Sequence, residues 1–391
     1  MKRKLKRSRQ SVFGRRGMPP ALKTVLGIVV CIAVVAAGYF GAMLVSKGSL
    51  SQPDPSVDTS VDAPETPGSD GDTTRPDTPK PPANTPAITD TIRAFYLPPS
   101  ALSSGDLAST FTAANQAGFN AVIFDLKDAE GNLYYHFTNA QAVKVNTFTA
   151  DALTSDGLTA LFSLMRDNGL QPIPRLYAFC DNLGAKALAD ARIMLASNHS
   201  WGWYDADPNN GGRRWLNPYS DAAQSYVQSL VSELKDKGAA AVMLDGVQFP
   251  HQLKDAYLGE DAATVTKDAV LTAFINETRT LLGEDCPLLL ACTGDSALGT
   301  NTQVYGGNPL TFGATVVSPL LTAKIEESVE KMILRTQVLD SKPVLAPMLS
   351  ADSLTAKQVA DAITAYVAGG ADSFILYHSE GQYDFSAYHL P

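Results

Sequence analysis

Apolar runs of strand length recur along the second half of the chain, with helical patterns between them. The runs lie at Ile92–Leu97, Ala121–Lys127, Pro172–Ala178, Ala240–Val247, Leu288–Thr293, Ala314–Ser318, Val344–Leu349 and Ser373–His378. Asp106–Gly118, Leu158–Asn168, Ala222–Lys237 and Val359–Ala368 carry apolar residues at helical spacing, and each ends in or is followed by a glycine. A helix, a glycine and then an apolar strand form half of a βα unit, and strands alternating with helices predict a parallel sheet. Eight units within about 300 residues predict a closed (β/α)8 barrel, the TIM-barrel architecture, over residues 91–391. The competing architecture is a doubly wound sheet with an appended region.

The first 90 residues follow a different pattern. Residues 24–46 form an uncharged stretch dominated by Val, Ile, Ala and Leu. It is long enough for a transmembrane helix, which needs about 20 apolar residues, and exceeds the core of about 7–15 residues usual in a cleaved signal peptide. Residues 1–23 hold nine Lys or Arg and no acid, which leaves a net charge of −18 on residues 24–391 of a chain at −9. Basic flanks stay in the cytoplasm, so the expectation is a cytoplasmic tail, a single span in the lipid bilayer and an extracellular remainder. Residues 47–90 are rich in Pro, Ser, Thr and Asp, with nine prolines from Pro53 to Pro86. Such a segment cannot bury a core and reads as a disordered, extended linker.

Chemistry collects at the C-terminal ends of the predicted strands. Ala240–Pro250 is the sharpest case: a buried-type run delivers Asp245 and then breaks at Gly246 and Pro250. Side chains alternate along a strand, so Ile123, Asp125 and Lys127 share one face, as do Ile173, Arg175 and Tyr177, and Met243 and Asp245. Three successive strands thereby raise Asp125, Arg175 and Asp245 to similar heights at the barrel mouth, where active sites of this architecture sit. Asp128, Asp181 and Asp295 follow on adjacent loops, Tyr377 ends the last run and Glu380 comes just after it. The purely structural alternative is a buried ion network in which Lys127 and Arg175 neutralise the two acids.

Trp201, Trp203 and Trp215, the three tryptophans of the chain, all fall in the loop after the third run. Asn198, His199, Tyr204, Asp205, Arg213, Arg214 and Asn217 accompany them. Sugar rings pack on aromatic faces and need a few fixed polar partners, so this loop is a candidate for sugar contact, with Trp203 and Trp215 as the stacking rings. The alternative is that the tryptophans pin the loop to the barrel. The five histidines show no metal-ligand spacing, no Gly-rich phosphate loop follows a strand, and no Gly-x-Ser-x-Gly elbow occurs. No cofactor, metal or nucleic-acid partner is expected. Cys180, Cys286 and Cys292 lack framework spacing and read as buried free thiols, with at most one pair able to bridge.

Several motifs recur in a characteristic order. They are Asp125-Leu126-Lys127-Asp128 with Gly131, Tyr134 and Tyr135; Arg175-Leu176-Tyr177-Ala178-Phe179 with Asp181; Trp215-Leu216-Asn217-Pro218-Tyr219; and Leu244-Asp245-Gly246-Val247-Gln248-Phe249-Pro250. In these the chain, from about Arg93 to Tyr383, resembles a glycoside hydrolase family of prokaryotic barrel proteins long catalogued as a domain of unknown function. The resemblance implies a barrel acting on a polysaccharide or oligosaccharide. The chain departs from the family pattern at Gly246 and Gln248, where an aromatic residue and an Arg are usual, at Ala129 in place of an acid, and at Cys180 in place of a Lys. Glycosidic hydrolysis needs two carboxyl groups. Asp245 and Asp125 are the expected pair, with Asp128 as substitute for Asp125. Arg175, Tyr177, Asp181, Trp203, Trp215, Gln248, Tyr377 and Glu380 are the expected substrate contacts. The leading expectation is thus a membrane-anchored extracellular glycosidase. The alternative is a carbohydrate-binding surface protein without catalysis, which the departures at Gln248 and Ala129 favour. A hydrolase of wall peptide or acyl groups has no nucleophile or metal motif behind it.

Overall fold

The computed structural model describes residues 91–102, 106–322, 324–388 and 390. The expected tail (1–23), span (24–46) and linker (47–90) lie outside the described residues. Among the described residues no helix is long and apolar enough to cross a membrane.

Eight strands form the barrel: β1 Arg93–Leu97, β2 Ala121–Lys127, β3 Gln171–Tyr177, β4 Val242–Asp245, β5 Leu288–Thr293, β6 Val316–Leu321, β7 Met348–Ser350 and β8 Phe374–Tyr377. Each pairs in parallel with its neighbours in sequence, and β8 pairs in parallel with β1, which closes the ring. The strands are buried on both faces, which is why they read as unbroken apolar runs rather than alternating ones. The seventh run is split into Val344–Leu345 and β7 because Pro347 has no N–H for the ladder.

Six long helices surround the ring: α1 Leu107–Gln116, α2 Ser155–Asp167, α3 Asp221–Asp236, α4 Lys267–Leu282, α5 Ile325–Gln337 and α6 Ala356–Ala368. The Asp106 side chain caps α1 by accepting from Ser109 N at 3.0 Å, and Thr355 with Gln358 forms a capping box on α6. The crossover from β5 to β6 has only the four-residue helix Gly294–Ala297 and a 3-10 turn at Pro309–Thr311.

The core has two layers. Ala94, Tyr96, Ile123, Ile173, Met243, Leu289, Val316 and Ile375 fill the inside of the ring. A larger cluster between strands and helices includes Phe124, Phe162, Leu230, Phe274 and Tyr366. The loops after β3 and β4 join above the ring as a small antiparallel sheet of Met194–Leu195, Asn198–Gly202 and Ala256–Tyr257. A second addition, Leu133–Tyr135 with Phe148–Leu153, extends the sheet from β2.

Candidate functional site

Strand register brings three charged groups together at the mouth. Asp125 stands opposite Arg175 across β2 and β3, and Tyr177 stands opposite Asp245 across β3 and β4. Arg175 holds Asp125 with two prongs, Nε to Oδ1 at 2.5 Å and Nη2 to Oδ2 at 3.0 Å. The Tyr96 hydroxyl donates to the same Oδ2 at 2.8 Å. The remaining prong of Arg175, Nη1, lies 3.4 Å from Asp245 Oδ2. One arginine therefore serves both acids, and it serves Asp125 far better.

Three tyrosine rings enclose that arginine. Its guanidinium carbon lies 4.7 Å from the Tyr96 ring centre, 5.2 Å from Tyr177 and 5.6 Å from Tyr377. Tyr96 and Tyr377 stack on each other at 4.5 Å. Burial alone lowers the guanidinium pKa, but Asp125 overrides it and holds Arg175 well above its ordinary value, so the cation is permanent.

Asp245 differs from its partner. Its side chain is 24 % exposed, against 8 % for Asp125. Burial raises its pKa and Asp125 adds to the rise, while Arg175, the Gly246 N–H and the Tyr177 hydroxyl pull it down; the net direction is upward. Gly246 N donates to Asp245 Oδ1 at 2.7 Å. Gly246 itself sits at φ +62°, and a Cβ there would press on Cys180 and Tyr177 at 3.3 and 3.4 Å. The glycine thus ends β4 in a left-handed turn and lets the loop after β3 approach the acid.

Asp128 does not join this group. Its Oδ1 accepts backbone N–H groups from Glu130, Gly131 and Asn132, and its Oδ2 accepts from Asn132 Nδ2 and the Tyr134 hydroxyl. Five donors on one carboxylate make it the organiser of its own loop, and no oxygen is left to exchange a proton with a sugar. Lys127 and Asp181 also turn away. A register shift between Asp125 and Lys127 breaks the simple alternation of β2. The buried Lys127 ammonium then lies 2.9 Å from the buried Asp181, and it does not neutralise either mouth acid. Asp181 also caps the helix Asn182–Ala187 by accepting from Gly184 N at 2.6 Å.

The tryptophans expected to stack on sugar are packed against protein. Trp203 and Trp215 form a cluster with Ile193, with Leu195 and Leu258 against it. Trp203 Nε1 donates to Lys254 O at 2.8 Å, and Trp215 Nε1 to Asp205 Oδ2 at 2.9 Å. Both rings are buried, which corrects the expectation of open stacking faces. The open tryptophan is Trp201, at 64 % exposure on the strand Asn198–Gly202. Gln248 is half-buried beyond Asp245, Tyr377 faces Arg175, and Glu380 is exposed with Gln382 Nε2 on its carboxylate at 3.0 Å. Asp295 is exposed.

Tyr96 is the member of the site that the sequence reading passed over. Alternation from Ile92 and Ala94 places it on the inner face of β1 at mouth height, so the signal was present. All three described cysteines are free, and burial pushes the Cys180 thiol up to about 12, which keeps it protonated. Among the described residues no group of three or more His, Cys, Asp or Glu is placed to hold a metal ion.

The fold and mouth define a closed (β/α)8 barrel with a carboxylate–arginine–carboxylate centre. Residues 94–291 match the model of the family described as "putative glycosyl hydrolase domain", and the chain belongs to that family. No curated protein matches the sequence. Among solved structures, a beta-N-acetylhexosaminidase is 14% identical with a TM-score of 0.52, the match covering 76% of this chain and 71% of that one. Alpha-L-fucosidase isoenzyme 2 from Paenibacillus thiaminolyticus is 13% identical with a TM-score of 0.50; the match covers 77% of this chain and about half, 48%, of the fucosidase. A hypothetical protein from Ruminiclostridium thermocellum ATCC 27405 is 20% identical with a TM-score of 0.43, over 50% of this chain and 96% of that one. The first two of these similarities carry the fold alone.

Proposed function

We propose that the chain is a glycoside hydrolase that cleaves a polysaccharide outside the cell, tethered to the membrane by residues 24–46, with Asp245 as the carboxyl group that exchanges the proton. The observation that carries this reading is the contrast between two acids on one arginine. Arg175 grips both oxygens of Asp125, while Asp245 is more open and has a raised pKa. A glycosidase needs that split, one carboxyl to protonate the leaving oxygen and one kept ionised. Tyr177, Tyr377 and Gln248 would meet the sugar beside Asp245, Arg175 would set the charge between the acids, and Glu380 would stand at the rim. For Asp125 to act directly on the sugar, Arg175 must release one of its oxygens, and Nη1 already reaches toward Asp245.

The family membership and the barrel support glycosidic chemistry. The charge asymmetry around residues 24–46 supports the anchor and the outward orientation. The test is release of reducing ends from soluble glycans by the purified full chain and by Asp245→Asn, with melting measured on the same samples. A folded Asp245→Asn protein that still hydrolyses at the wild-type rate would overturn the assignment.

One observation favours a second reading, a carbohydrate-binding protein without catalysis. Both oxygens of Asp125 are already engaged by Arg175 and Tyr96. On that reading the wild-type chain binds glycans and releases no reducing ends.

A further inference from the structure

Beside the mouth, two arginines share one small space, and among the described residues no acid is paired to either. Arg192 precedes the strand Met194–Leu195, and Arg214 follows the strand Asn198–Gly202 by twelve residues. A Cβ on Gly202 would lie 3.2 Å from Arg192 Nε and 3.2 Å from Arg214 Nε, so the two Nε atoms are at most twice that distance apart. Both Nε atoms are buried and, among the described residues, without a hydrogen-bond partner. Arg192 makes one side-chain bond, Nη2 to Ser200 O at 2.9 Å. The Arg214 guanidinium rests on the Tyr204 ring at 4.3 Å and makes no side-chain hydrogen bond among the described residues. Two like charges this close, half-buried and with most donors unspent, are costly unless an anion joins them.

The carboxylates nearby are committed elsewhere. Glu130 takes Arg213 Nε at 3.3 Å and Asn182 Nδ2 at 2.5 Å. Asp205 accepts from Arg213 N and Trp215 Nε1. The location is the mouth side of the barrel. Arg214 N donates to Asn182 Oδ1, and Leu216 N to Phe179 O, which ties this segment to the loop that directly follows β3.

We infer that Arg192 and Arg214 form a subsite for an anionic group, a carboxylate or a sulfate, carried by the glycan that enters the mouth. The inference rests on the carbohydrate reading above and narrows it to acidic glycans. A body at −18 repels polyanions in general, so retention of one requires a local site.

The test is affinity electrophoresis of the detergent-solubilised full chain in matched gels: dextran sulfate against dextran, and polygalacturonate against its methyl ester. At least one charged polymer should retard the protein more than its neutral match, and the pair that does so identifies sulfate or carboxylate. The Arg192→Gln, Arg214→Gln double variant should bind that polymer about tenfold more weakly. The basic tail is unchanged in the variant, so the difference reads the subsite alone. Should the double variant melt early, the single variants carry the test, each expected to lose part of the effect at unchanged melting temperature. Retardation that is equal for wild type and the folded variants, or equal for charged and neutral polymers, overturns the inference. Asp245→Asn should keep the full charge preference. A wild type that hydrolyses nothing yet shows the arginine-dependent preference would sink the catalytic reading and leave the subsite standing.

Discussion

At the scale of single residues, Asp125 and Asp245 carry the same carboxyl group in opposite circumstances. Arg175 keeps a two-pronged partner when Asp245 loses its charge, because Asp125 remains. Asp245→Asn should therefore melt at or above the wild-type temperature at neutral pH while losing hydrolysis. Asp125→Asn strands a buried guanidinium instead and should cost about 3–5 kcal/mol, read by urea unfolding. Equal stability of the two variants would show that Arg175 does not discriminate between the acids. The pH dependence has a definite sign. Asp245 has a folded pKa above its unfolded value, so its contribution to stability is full below about pH 3.9 and is lost as pH climbs through the raised folded value. If Asp245 is the proton donor, hydrolysis falls with rising pH through that same folded value. In Asp245→Asn, this component of the stability–pH curve should disappear. A stability curve unchanged in the variant would remove the raised pKa from the argument.

At the scale of elements, the turn chemistry and the packing of loops decide which residues reach the mouth. The break in β2 sends Lys127 to Asp181, and both side chains are fully buried. Lys127→Met leaves a buried carboxylate alone and should destabilise by about 3–5 kcal/mol, whereas Glu380→Gln at the exposed rim should leave melting unchanged. Trp203→Ala should cost about 3–5 kcal/mol through the cavity it leaves, with glycan affinity per folded molecule unchanged. A variant that binds glycan poorly at full stability would restore the stacking role. The eight strands were legible because both of their faces are buried, and β2, β3, β4 and β8 each also follow a helical pattern closed by glycine. α5 was not, because its buried face includes Ser328 and Thr336, which dilute the apolar stripe. α4 shows helical spacing at Val270, Leu271, Phe274 and Ile275, and its pattern was available but unread. Asp125, Arg175 and Asp245 were legible from alternation alone. The fate of Lys127 was not, since a register shift leaves no mark in residue types. Nor was the burial of Trp203 and Trp215, which depends on the loop after β3 pairing with residues 256–257 from the loop after β4.

At the scale of the whole molecule, the barrel closes through its first strand, and the rest of the chain bears on where it works. Ile92 N donates to Ser373 Oγ at 2.8 Å, and Phe374 N donates to Ile92 O at 2.7 Å. Near the C-terminus, Phe385 packs edge-on against Phe95 and Phe119. A chain beginning at Thr91 keeps all of these contacts and should melt with the full chain, and one beginning at Phe95 should not fold, since the β1–β8 seam opens. Residues 1–23 and 24–46 lie ahead of that boundary, and the role proposed for them is in location. On the proposed topology, nine cations beside an uncharged 23-residue stretch would hold the tail on the cytoplasmic side, because moving such a tail across a bilayer opposes both its charge and the membrane potential. On that proposal, the proline-rich composition from Pro53 to Pro86 would supply a protease-accessible spacer on the outer side. Protease added to intact cells should release a fragment that begins within residues 47–90 and retains the barrel. Survival of the full-length chain until the cells are lysed would place the barrel inside and exclude an external polysaccharide as its substrate.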